Sequence, residues 1–130
     1  MTPDEVLDLV WLVEGEVNNG GFDQFFFNSS GAESAKIVEA LDLIGAHTMA
    51  AIVRRACAKF PGGMPPTDHD ERWDVLTSLW PEQDAFDAET REFQDYPDDV
   101  GALLAAFALT SGLEYPPKWA KVTKSLPPAP

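Results

Sequence analysis

Val6, Leu9, Val10, Val13 and Val17 recur three or four residues apart, the spacing that gathers side chains on one face of a helix. Thr2-Pro3-Asp4-Glu5 supplies its start: Thr2 caps, Pro3 suits the first turn, and Glu5 stands where a capping box needs an acid. The stripe runs into Asn18-Asn19-Gly20-Gly21, which predicts a break, with a short helix over 22–28 after it. Ile37, Val38, Leu41 and Ile44 mark the next helix, opened by a second capping box at Ser30-Gly31-Ala32-Glu33 and stopped at Gly45. Ala50, Val53, Cys57 and Phe60 mark another over 47–60. Pro61-Gly62-Gly63-Met64-Pro65-Pro66 interrupts the pattern and is the best candidate for a mobile loop. Thr67 is expected to cap a helix that buries Trp73, Leu76 and Trp80, and Phe86, Phe93 and Tyr96 are expected to pack the one after Pro81. Pro97-Asp98-Asp99 opens a last helix whose interior, Val100 to Leu109, is apolar on most sides and so is expected at the centre; Gly112 ends it.

No segment alternates as a strand, so the fold class is all-α: a single compact domain of six or seven helices over 1–115, followed by a Pro-rich tail over 116–130. Trp119 is expected to dock on the body and the last few residues to fray.

One run departs from helical patterning. Glu16 to Gly31 reads EVNNGGFDQFFFNSSG, with amides set among four phenylalanines. Gly20 or Gly21 is expected at positive φ. Asn18, Asn19, Gln24 and Asn28 are expected near the aromatic core, with hydrogen bonds to backbone satisfying Asn19, Gln24 or Asn28. Two readings stand open: a polar pocket for a ligand, or a network that fixes the angle between two helices.

Charge changes the picture next. The chain carries 22 acids and 9 bases, a formal net charge of −13, which argues against direct binding to nucleic acid or to an anionic membrane surface. The acids are unevenly spread: residues 68–99 hold 12 of them, Asp68, Asp70, Glu71, Asp74, Glu82, Asp84, Asp87, Glu89, Glu92, Asp95, Asp98 and Asp99, against Arg72 and Arg91. Asp70/Asp74, Asp84/Asp87 and Glu89/Glu92 have the spacing of neighbours on a helix face, where like charges cost a few tenths of a kcal/mol per pair. This block is either a surface for a basic partner or a solvated face with acids at helix starts.

The motif run, together with Ala40, Leu41, Ile44, Gly45 and Ala46, resembles a family of bacterial proteins named after a DNA mimic. The pattern E-x-N-G-G-F-x-Q is met by Glu16, Asn19, Gly20, Gly21, Phe22 and Gln24 with Phe25 behind it, and N-S-x-G by Asn28, Ser29 and Gly31; Arg72 and the stretch from Phe86 to Phe93 give a weaker echo. The resemblance implies an all-helical fold and, for the member that names the family, binding to DNA-binding proteins without catalysis. The motif itself is expected to be structural.

Other chemistry is not supported. Asp68-His69-Asp70-Glu71 has metal-ligand residue types, but adjacent helical positions face different ways, so no metal or other cofactor is expected. Cys57 sits on an apolar stripe and excludes an internal disulfide, which fits a reducing compartment; with no leader-like or membrane-spanning apolar run, a cytoplasmic protein is expected. Neither glycine pair has the lysine of a phosphate loop. The expectation is a non-enzymatic protein that binds a basic partner, a DNA-binding protein or, alternatively, a basic toxin; a homodimer is compatible with it. A ligand-binding or enzymatic module built on Glu16, Asn18, Asn19, Gln24 and Asn28 is the rival from another class.

Overall fold

The computed structural model describes residues 1–116. Helix α1 (Pro3–Phe27) is the spine, and α2 (Ser34–Leu43), α3 (His47–Ala58), α4 (His69–Leu79), α5 (Asp87–Gln94) and α6 (Val100–Thr110) complete an all-α domain. Among the described residues there is no strand. The expected start of α1 is met: Glu5 N donates to Thr2 Oγ1 at 3.2 Å. Its apolar stripe is buried against α2, α4, α5 and α6. Trp119 and the end of the tail lie outside the described residues.

The aromatic core forms where the second half of α1 meets the helices that follow. Phe22, Phe25, Phe26, Phe60, Phe86 and Phe93 are all buried. Phe26 is its hub, with ring centroids 4.9 Å from Phe60 and 4.8 Å from Phe86. Phe22 meets Phe93 edge-on at 5.7 Å, an arrangement the ring quadrupoles favour. Gly45, at φ +92, ends α2 as expected, with Ala46 N donating to Leu41 O across the turn.

Several expectations are corrected. α6 is peripheral rather than central: it packs on α1 with one face, and Leu109 remains 66% exposed. Ser30 to Glu33 is no capping box but part of a 3-10 turn (Ser29–Glu33); Ser30 Oγ turns back to donate to Phe25 O at 2.7 Å. α4 is capped by Asp68, which accepts from Glu71 N at 3.0 Å, and not by Thr67. Its buried residues are Leu76 and Arg72, while Trp73 stays 44% exposed and Trp80 is half-buried. Where the 61–66 loop meets α4, the Pro66 and Thr67 carbonyls accept from Arg72 Nη1 at 3.0 and 3.2 Å.

Candidate functional site

The expected break falls inside α1. Gly20 (φ −148°) and Gly21 (φ +73°, ψ −175°) interrupt the helix, and the residues from Phe22 onward continue it in a new direction. A side chain is strained at the Gly21 φ, and a Cβ there would also lie 3.1 Å from Thr90 Cγ2. The break frees Phe22 N, which donates to Thr90 Oγ1 of α5 at 3.0 Å. Gln24 folds back over Gly20 so closely that a Cβ at Gly20 would stand 2.1 Å from Gln24 Oε1.

The motif amides bond to side chains, and their acceptors are not the backbone groups the sequence suggests. Gln24 Nε2 and Asn28 Nδ2 both donate to Glu16 Oε2, at 2.7 and 3.0 Å. Asn19 Nδ2 donates to Gln24 Oε1 at 3.2 Å. Asn19 and Asn28 are exposed and Glu16 and Gln24 half-buried, so the knot lies outside the phenylalanine core. Its side chains close on one another across the kink, which makes it a fastening between the two halves of α1.

Asn18 belongs to a second, deeper cluster. Its Nδ2 donates to Glu14 O at 2.9 Å, to Glu14 Oε2 at 3.1 Å and to Tyr96 Oη at 3.0 Å. Glu14 is fully buried, and its Oε1 has no hydrogen-bond partner. Burial pushes its carboxyl up to about 8, partly opposed by the hydrogen bonds from Tyr96 and Asn18. The Tyr96 hydroxyl is pushed up to about 12 by burial and by Glu14. Glu14 was legible in principle, because it falls four residues after Val10 and three before Val17, on the apolar stripe itself.

Arg72 locks the far end of α1. Its guanidinium is fully buried yet well satisfied, donating to Phe26 O at 2.7 Å and Asn28 O at 2.9 Å besides Pro66 and Thr67. The cation meets carbonyls at a helix C-terminus, where the helix dipole is negative. A Cβ at Gly31 would stand 2.6 Å from Arg72 Nε, so the glycine makes room for the arginine.

The twelve acids of 68–99 divide. Asp68 caps α4 and Asp99 caps α6, accepting from Ala102 N at 3.2 Å. Asp98 Oδ2 accepts from Met49 N at 2.8 Å and so closes the start of α3. Glu89 and Glu92 do not form an exposed acidic pair. Glu89 is 4% exposed, bound by Lys59 Nζ at 2.5 Å and Arg55 Nε at 3.3 Å, and Glu92 holds the other arm of Arg55. Burial pushes the Glu89 carboxyl up, but Lys59 and Arg55 prevail and hold it below the usual carboxylate range.

Asp70, Glu71, Asp74, Glu82, Asp84, Asp87 and Asp95 are all exposed. Asp84 lies in the turn before α5 and Asp87 opens that helix, so the pair does not share a helix face as expected. The fold instead sets both near Asp23 of α1. Burial and then the Asp87 and Asp84 charges push the Asp23 carboxyl up to about 6. The local field of these acids is therefore felt across two elements.

Among the described residues no group of three or more His, Cys, Asp or Glu is placed to hold a metal ion, and no helix is long and apolar enough to cross a membrane. Cys57 is buried, and burial pushes its thiol up to about 11, away from the thiolate a nucleophile needs. Neither a curated protein nor a solved structure gives a match. Residues 2–111, which include the kinked α1, the Arg72 lock and the acidic segment, match the model of the DMP19-like proteins, and the chain belongs to that family.

Proposed function

We propose that this chain is a non-enzymatic binding protein that masks the basic face of a DNA-binding protein, as a DNA mimic does. The observation that carries the reading is the group of acids around α4 and α5 that the fold leaves exposed. Asp74, Glu82, Asp84 and Asp87 accept no cap hydrogen bond and enter no ion pair among the described residues. Arg72 is spent on backbone carbonyls. Membership of a DNA-mimic family supports the reading. Repulsion among these acids is mildly unfavourable for folding, which fits a surface whose purpose is met by another molecule. The contacts would be carboxylate to lysine or arginine, with fast and salt-sensitive association.

The test is affinity capture from the source cell at about 0.05 and 0.5 M salt, where the Debye length falls from above ~10 Å to well below it. Wild type and an Asp74→Lys/Asp84→Lys/Asp87→Lys variant serve as baits. Basic DNA-binding proteins should be held by wild type at low salt and lost both at high salt and with the variant. Capture of a partner indifferent to salt and to all three reversals would reduce the acids to a solubility role.

A further inference from the structure

We propose that the groove between α3 and α5 is a slot for an arginine side chain of the protein partner, which rests on the reading that the exposed acids receive a basic protein. The groove has a volume of about 270 Å³ and is lined from three elements: α3, α5 and the turn from α5 to α6. Ile52 is buried in it, and Ala51 and Pro97 add apolar surface. Glu92 and Asp95 bring carboxylates, and both are exposed. An apolar depth with an acidic mouth fits a side chain that is aliphatic along its stem and cationic at its tip. A guanidinium is more weakly hydrated than an ammonium and planar enough to lie against such a wall, so arginine fits better than lysine.

Two sets of contacts brace the walls of the groove. Arg55 also lines it, but its guanidinium is bound to Glu89 and Glu92 of α5 and its charge is already matched. Lys59 is bound to Glu89 as well, so two cations face two carboxylates there. Asp95 remains outside that set and supplies the uncompensated charge. On the other side, Tyr96 holds φ +52, a conformation uncommon for a non-glycine residue, and its hydroxyl accepts from Asn18 of α1. That anchor fixes the backbone between Asp95 and Pro97. The slot is thus preformed, which lowers the ordering cost of binding.

The test uses the full chain labelled with nitrogen-15, titrated at about 0.15 M salt, where the Debye length is ~8 Å. The probes are a capped Ala-Arg-Ala tripeptide, its lysine counterpart and its citrulline counterpart, which keeps the shape without the charge. The arginine peptide should give saturable shifts at the Thr48, Ala51, Ile52 and Asp95 amides, and the other two should bind more weakly. Asp95→Asn should weaken the arginine peptide about three- to fivefold, the scale of one exposed ion pair. Asp84→Lys with Asp87→Lys should leave the shifts in place. Shifts spread over the acidic surface without saturation, or equal binding of the citrulline peptide, would overturn the slot while leaving the masking reading standing. Saturable arginine binding with no basic protein captured would uphold the slot and overturn the masking reading.

Discussion

The second half of α1 and the α4–α5 face treat charge in opposite ways. Around α1, polar groups are gathered and spent on one another: Glu16 collects two amides, and Arg72 collects four carbonyls. Around α4 and α5, Asp74, Glu82, Asp84 and Asp87 are left exposed, and burial, with the charges of Asp87 and Asp84 added, raises the carboxyl of Asp23 beside them. The first arrangement specifies a shape. The second sets like charges near one another without partners among the described residues, at a small cost in stability that only Asp87, in the first turn of α5, offsets through the helix dipole. Charged residues that look alike in sequence thus differ in whether the fold supplies a partner, and Glu89 and Asp87, two positions apart, fall on opposite sides of that line: Glu89 is buried against Lys59 and Arg55, and Asp87 is exposed.

The comparison breaks first at Arg72. Arg72→Met keeps much of the volume but leaves buried carbonyls of α1 and the 66–67 backbone without donors. Each unsatisfied buried group costs about 1–3 kcal/mol, so a total loss of more than about 3 kcal/mol is expected in urea unfolding. A loss below about 1 kcal/mol would mean that the lock is ornamental. The kink comes next. Gly21→Val places a β-branched residue at φ +73 against Thr90 and should cost about 2 kcal/mol through backbone strain and crowding. A neutral result would show that α1 tolerates another path between its halves.

Much of this was legible in the sequence. The helices were, because each has an apolar stripe bounded by proline, glycine or a capping residue, and the Asn-Gly break was, because few other residues accept its geometry. What was not legible depends on distant neighbours. Glu89 and Glu92 read as an acidic pair because their partner Arg55 lies 34 and 37 residues earlier. For Arg72 the sequence offered only a base among acids and a faint echo of the family pattern, since nothing nearby reveals that helix-end carbonyls will converge on it. The place of α6 was misread because apolar composition says how much a helix can bury and not how many neighbours it will meet. Glu14 lay on a buried stripe in plain view, and attention to its register would have found it.

Glu14 sharpens the comparison from inside α1, since it is a buried carboxyl that the fold satisfies at one oxygen only: Oε2 accepts from Asn18, while Oε1 has no partner. Its carboxyl is held up to about 8 when folded against an ordinary value of 4.5. The unfolded chain therefore releases its proton first as pH rises, and stability from this group is full below about 4.5 and is lost as pH climbs towards 8. Glu14→Gln keeps the shape without that ionisation. It should flatten the fall in stability between pH 5 and 8 and stabilise at pH 8 by on the order of 2 kcal/mol. Denaturant unfolding at several pH values measures this. A variant less stable than wild type at every pH would show that the carboxyl makes a contact the amide cannot replace.

The smallest effect is expected on the acidic face itself, and it discriminates between a continuous field and scattered charges. Asp84→Lys with Asp87→Lys alters exposed side chains that bind nothing in the fold, so each should change stability by about 0.5 kcal/mol or less. Removing two repulsions should offset what little is lost. The sensitive readout is Asp23, whose side-chain carboxyl titrates at about 6 because of burial first and of Asp87 and Asp84 second. With both lysines in place the burial remains, while the two repulsions become attractions. The Asp23 titration should then move towards lower pH, followed by NMR at its carboxyl carbon, without necessarily reaching the ordinary value. An unmoved titration would mean that burial alone sets it and that Asp84 and Asp87 are screened from α1. The α4–α5 acids would then be separate charges in solvent, and the contrast with the self-satisfied second half of α1 would lose its functional meaning.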